Sequence, residues 1–134
     1  NKLFAGEPVK MMSKLTQNLL HGVDYELVRA RRSQNFAVLH EQFGSANQLT
    51  LAIPEGAFMY PLWIKNGAAV RKKLQAEKIY IPTLWPNVLQ QLPETAVEYQ
   101  LAMDILPLPV DQRYEAEEMK YLAGQVRKMQ GELK

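Results

Sequence analysis

The sequence predicts a small α/β domain of the α+β kind, with a largely antiparallel sheet of about three strands covered by helices and preceded by two further helices. Three observations carry that expectation. Apolar residues recur at helical spacing as far as Phe43, then alternate from Phe58 to Ile64. The run Ile105-Leu106-Pro107-Leu108-Pro109 has to be extended, because each proline disfavours helix in the residue before it. A length of 134 residues, 47% hydrophobic and 22% charged, is ordinary for one globular domain that buries its own core.

Val9, Met12, Leu15, Leu19 and Leu20 trace a first helix, and Gly22 stands where its C-terminal cap belongs. Asp24 can cap a second helix, with Val28, Phe36, Leu39 and Phe43 as its apolar line, Asn35 alongside and Gly44 at its end. Arg29, Arg31 and Arg32 are expected on its solvated face. After the turn-rich stretch 47–56, Phe58, Tyr60, Leu62 and Ile64 should share one face of a strand, with Met59, Pro61 and Trp63 on the other. Pro61 has no amide hydrogen, so that strand should be an edge or carry a bulge. Asn66 can cap a third helix with Val70 and Leu74 inward, and Ile79–Ile81 reads as a short strand stopped by Pro82. Thr95 and Glu98 have capping-box spacing for a short helix through Met103. The last helix opens with Glu115, Glu117 and Glu118 and closes with Arg127 and Lys128, in the order that complements its dipole. Its inward line is Met119, Leu122, Ala123 and Val126. The chain divides into a helical lead-in (1–46) and a sheet-and-helix core (47–134), and the loop 47–56 would let the lead-in lean away.

Most catalytic constellations are excluded by the residues themselves. Cysteine is absent, which removes disulfides, thiolate metal sites and cysteine nucleophiles. The two histidines, His21 and His40, have no metal-ligand spacing and read as ordinary surface or interhelical residues. Ser13, Ser33 and Ser45 lie in helices or at a helix end, outside any nucleophile-elbow setting. Gly44, Gly56 and Gly67 stand apart, so no phosphate-cradling loop is present. Glu117 and Glu118 need no role beyond the helix dipole. A net charge of +2 is too small for a nucleic-acid groove, although a pI near 8.8 is compatible with one.

Two segments remain distinctive. Lys78-Ile79-Tyr80-Ile81-Pro82-Thr83-Leu84-Trp85-Pro86 runs from a strand into an aromatic between two prolines, so Trp85 should be held in a stiff loop rather than a helix. Ile105–Pro109 continues into Val110-Asp111-Gln112-Arg113-Tyr114 just before the last helix. One reading packs Trp85 and Tyr114 over the sheet edge and leaves Asp111 and Arg113 as a local ion pair. The other turns both loops toward one cleft, where aromatic and bidentate groups would suit an anionic or sugar-like ligand.

These segments, in this order, resemble the C-terminal region of the DegT/DnrJ/EryC1/StrS aminotransferases. The resemblance runs from about Val9 to Val126, through Asp24, Arg31-Arg32 and Asn35, Tyr60-Pro61, Arg71 with Leu74, Lys78–Pro82, Ile105–Pro109, Asp111–Tyr114 and Glu118-Met119. It implies the small domain of a fold-type-I enzyme that works as a homodimer and moves an amino group from glutamate to a keto-sugar nucleotide in polysaccharide or cell-surface sugar biosynthesis. It also implies pyridoxal phosphate as cofactor, joined as a Schiff base to a lysine of a large domain. No lysine here matches that motif, so the chain is expected to be inactive alone, with no bound cofactor and no catalytic or metal-ligating residue. Trp85, Tyr60 and Arg113 are the substrate-facing candidates. Leu84-Trp85-Pro86 stands where many members carry His-Tyr-Pro, so no sugar-binding role passes to Leu84.

The expected partners are the missing large domain and a second copy of the parent chain. If the first two helices pack on that domain, their apolar faces are uncovered here and favour dimerisation. The start, Asn1 to Gly6, has no apolar core and no initiator Met, which reads as a processed or excised chain rather than a signal peptide. No apolar run is long enough to span a bilayer, and a cytoplasmic location is expected. The alternative is a non-catalytic, stand-alone binding or interaction module.

Overall fold

The computed structural model describes residues 6–133. Residues 1–5, which hold most of the start weighed against a signal peptide, lie outside them. The elements run α1 (Lys14–His21), α2 (Tyr25–Phe43), β1 (Met59–Trp63), α3 (Gly67–Ala76), α4 (Val88–Gln91), α5 (Val97–Asp104), β2 (Ile105–Pro109) and α6 (Ala116–Gly131). They form a small, mostly helical α+β fold around two antiparallel strands. Among the described residues no helix is long and apolar enough to cross a membrane.

Caps set the helix limits. The Ser13 hydroxyl accepts from the Thr16 amide at 3.1 Å, so α1 begins at Lys14 and leaves Val9 and Met12 outside it. Asp24 Oδ1 accepts from the Leu27 amide at 2.9 Å and starts α2 as expected. Asn35, Phe36, Leu39 and Phe43 of α2 are buried, and the helix packs on β1 and α6 rather than leaning away. Among the helices of eight residues or more, only α1 has no buried residue. On α6, Met119, Leu122, Ala123, Val126 and Met129 face inward, and Glu118 Oε2 accepts from the Glu115 amide at 2.9 Å.

The register of β1 and β2 places Tyr60 opposite Leu108, Pro61 opposite Pro107 and Leu62 opposite Leu106. Prolines cannot donate to a ladder, so the Pro61–Pro107 pair must point its backbone outward, and the same parity holds for Met59–Pro109 and Trp63–Ile105. Asn47 then serves the outer side of β1 as a side-chain substitute for a strand. Its Oδ1 accepts from the Trp63 amide at 3.0 Å, and its Nδ2 donates to the Pro61 carbonyl at 2.9 Å. Phe58, expected on the inward face, is 79% exposed because the chain bends there and regular alternation starts only at Met59.

The third strand, expected at Ile79–Ile81, does not form. On the outer side of β2, Pro107 and Pro109 have no amide hydrogen, and the Ile105 amide donates to Leu101 as the cap of α5. No donor is left on that edge. The Ile79 amide is engaged too: it donates to the Leu74 carbonyl at 2.9 Å while Lys78 donates to Gln75 at 3.0 Å. With Lys78 at φ 63°, this is a Schellman ending to α3, with Ile79 packed against the core.

Two caps differ from expectation. Asn66 sits at φ 62° and makes no side-chain cap bond; Asp104, at the far end of α5, accepts from the Ala68 amide at 3.0 Å instead. A Cβ on Gly67 would lie 1.9 Å from the Asp104 carbonyl oxygen, so only glycine permits this approach. The Thr95 capping box is not made: α5 begins at Val97 after Ala96, with no side-chain cap. The single turn α4 was not expected; it follows a turn in which the Val88 amide donates to Trp85 at 2.9 Å around Pro86.

Candidate functional site

Alternation in the strands separates two faces. Tyr60, Leu62, Leu106 and Leu108 are fully buried in the core. On the opposite face a cavity of about 250 Å³ has Met59, Pro107 and Pro109 among its lining residues. Tyr80, Pro82 and Leu84 form its wall, while Ile81, of opposite parity, turns into the core. The segment 79–84 therefore keeps the side-chain alternation of a strand without joining a ladder. Arg71 fastens it: Nη1 donates to the Thr83 hydroxyl at 3.0 Å, and Nη2 donates to the Ile105 carbonyl of β2. Burial holds the Arg71 guanidinium below its usual pKa, partly offset by Asp104.

Arg32, Phe58, Val110 and Asp111 complete the lining. Arg32 Nη1 donates to the Ala57 carbonyl at 2.9 Å and to the Phe58 carbonyl at 3.3 Å, and its Nε donates to Gln112 Oε1 at 3.1 Å. It thereby ties α2 to the start of β1 and to the loop after β2. Asn35, one turn on, is fully buried and donates through Nδ2 to the Asp111 carbonyl at 3.1 Å and the Tyr114 carbonyl at 2.9 Å. Asp111 accepts a fork from Arg113, with Nε to Oδ1 at 3.0 Å and Nη2 to Oδ2 at 2.7 Å, and also the Arg113 amide at 2.9 Å. That hydrogen bonding holds the Asp111 carboxyl below the ordinary range, against a smaller opposing effect of burial.

No protein-family model, curated protein or solved structure matches this chain. The site is therefore read from its own chemistry. The lining does not fit pyridoxal phosphate: it holds no lysine, and that cofactor's aldehyde needs an amine to bond. A cofactor of that kind would have to be anchored outside these residues.

The three sequence candidates are not brought together. Tyr60 is fully buried in the core, its ring 4.9 Å from Phe36, and its hydroxyl lies 3.5 Å from both Asn47 Nδ2 and His40 Nδ1. Burial raises its pKa, against the smaller effect of Asn47. Arg113 is exposed and occupied with Asp111, its guanidinium 5.9 Å from the Tyr114 ring. Trp85 is 60% exposed beside the cavity wall and adopts φ 49°, a left-handed conformation that a bulky residue before proline rarely takes. His40 stacks on Phe36 with ring centroids 6.2 Å apart, and His21 lies exposed in the last turn of α1.

Arg32 is the residue that sequence reasoning misplaced, since it clamps the site instead of lying on a solvated face. The signal was present: positions 32, 36, 39 and 43 follow one helical stripe with Phe36, Leu39 and Phe43.

Proposed function

We propose that this chain is the small domain of a pyridoxal-phosphate-dependent aminotransferase resembling the DegT/DnrJ/EryC1/StrS family, and that the outer sheet face forms one wall of its substrate cleft. The supporting observation is that Tyr80 and Pro82 of one segment that carries the resemblance, and Pro107, Pro109 and Asp111 of the other, line one cavity. An apolar wall of this kind excludes water and shapes the cleft, while the group that forms the Schiff base belongs to a large domain. Amino transfer from glutamate to a keto-sugar nucleotide, a homodimeric parent and a cytoplasmic location go with this reading.

A second reading is a stand-alone binding module, favoured by the cavity's largely apolar, lysine-free lining, which suits binding without a covalently held cofactor. The coding sequence immediately upstream separates the two. An in-frame segment bearing a cofactor lysine, whose joint expression with this chain gives Schiff-base absorbance absent from the chain alone, supports the aminotransferase reading. An in-frame stop codon there, or a reduced pyridoxal adduct on a lysine of this chain, overturns it.

A further inference from the structure

The cavity on the outer sheet face has charged residues at its rim but no net charge to present. Arg32 and Asp111 are opposite in sign, and each is already engaged by protein partners, Arg32 with backbone carbonyls and Gln112, Asp111 with the Arg113 fork. An anion entering here would meet the Asp111 carboxylate and would have to break these bonds to reach Arg32. The remaining lining is aliphatic, proline or aromatic, and two rings stand open at the mouth, Phe58 at 79% and Tyr80 at 72% exposure.

We infer that this cavity takes a neutral, flat, aromatic group of one or two fused rings, and not a phosphate or carboxylate. The inference rests on the cleft-wall reading only for its biological setting. Size agrees: an apolar cavity of about 150 Å³ suffices for benzene, and this one measures about 250 Å³. Exposed aromatic faces at the mouth add offset or edge-to-face contact with an incoming ring. Proline gives the lining little freedom to collapse, so the space persists without a ligand. Leu84 becomes the selecting residue, an apolar side chain at the position where a polar one would favour a sugar hydroxyl.

The test is a titration of the 134-residue chain, followed by its amide resonances, with 2-naphthol, 2-naphthyl sulfate and inorganic phosphate. 2-Naphthol should shift Tyr80, Leu84 and Val110 saturably, naphthyl sulfate should bind no more tightly, and phosphate should leave these amides in place. Leu84→Arg should weaken 2-naphthol at least about tenfold, by placing a charge in an apolar site, with the melting temperature unchanged. Leu84→Trp, which fills the same space without charge, should give the same loss, so a folding defect in one variant leaves the other decisive. Tighter binding of the anionic probes at these amides overturns the inference. So do 2-naphthol shifts confined to Leu15–Leu20 of α1, or variants that bind like the parent sequence. An in-frame stop codon upstream would remove the aminotransferase reading and leave these shifts untouched.

Discussion

The two faces of one small sheet differ in what their residues do. On the inner face Tyr60, Leu62, Leu106 and Leu108 are fully buried among α2, α3 and α6. On the outer face Met59 and Pro109 are half-buried beside an open cavity. The strands are the same and only the parity changes: every inner position is buried, whereas of the outer ones only Pro107 is buried and the rest are half-buried. No third strand joins the β2 edge, because the prolines and the α5 cap remove every donor that it would need.

The division can be broken from either side. Leu106→Ala should cost about 2–5 kcal/mol, whereas Met59→Ala should cost under about 1 kcal/mol, both read from urea denaturation midpoints. Equal losses would mean the faces do not divide. Gly67→Ala forces a methyl against the Asp104 carbonyl and should cost about 1–3 kcal/mol by displacing the junction of α3 and α5; an unchanged melting temperature would show that the approach is looser. Asn47→Ala leaves the Trp63 amide and Pro61 carbonyl without partners and should cost about 1–2 kcal/mol. Lys78→Gly should instead stabilise by about 1 kcal/mol, since the left-handed position costs a non-glycine residue roughly that much. The smallest effect concerns acid. The Asp111 carboxyl is held below its ordinary range, so its contribution is present above the unfolded pKa and is lost as pH falls through the lower folded one. Asp111→Asn should flatten that part of the stability profile, and an unchanged acid slope would remove Asp111 from it.

Much of this was legible in the residues, and the omissions have definite causes. The helical stripes of α2, α3 and α6 and the alternation in β1 are local patterns, and the structure follows them. The strand expected at Ile79–Ile81 keeps an extended alternation, with Ile81 inward and Tyr80 and Pro82 outward, but an extended run says nothing about donors. Prolines two apart in β2 did carry that information. Capping of α3 by Asp104 joins residues 36 positions apart and leaves no local trace beyond a glycine. Tyr60 looked like a candidate for polar contact because residue type alone does not reveal which face of a strand it takes; its own alternation with Leu62 and Ile64 placed it inside. Leu15, Leu19 and Leu20 of α1 are exposed, whereas the apolar line of α2, whose face was expected to be uncovered with that of α1, is buried through Phe36, Leu39 and Phe43.

Amide hydrogen exchange tests most directly whether the sheet ends at two strands, with the β2 edge unpaired. Tyr60, Leu62, Leu106 and Leu108 should exchange at close to the rate set by global unfolding, and Tyr80 and Ile81 much faster, because the latter segment joins no ladder. Protection of Tyr80 and Ile81 equal to that of Leu106 and Leu108 would mean that a third strand joins the β2 edge, and the account of a two-stranded sheet would be wrong.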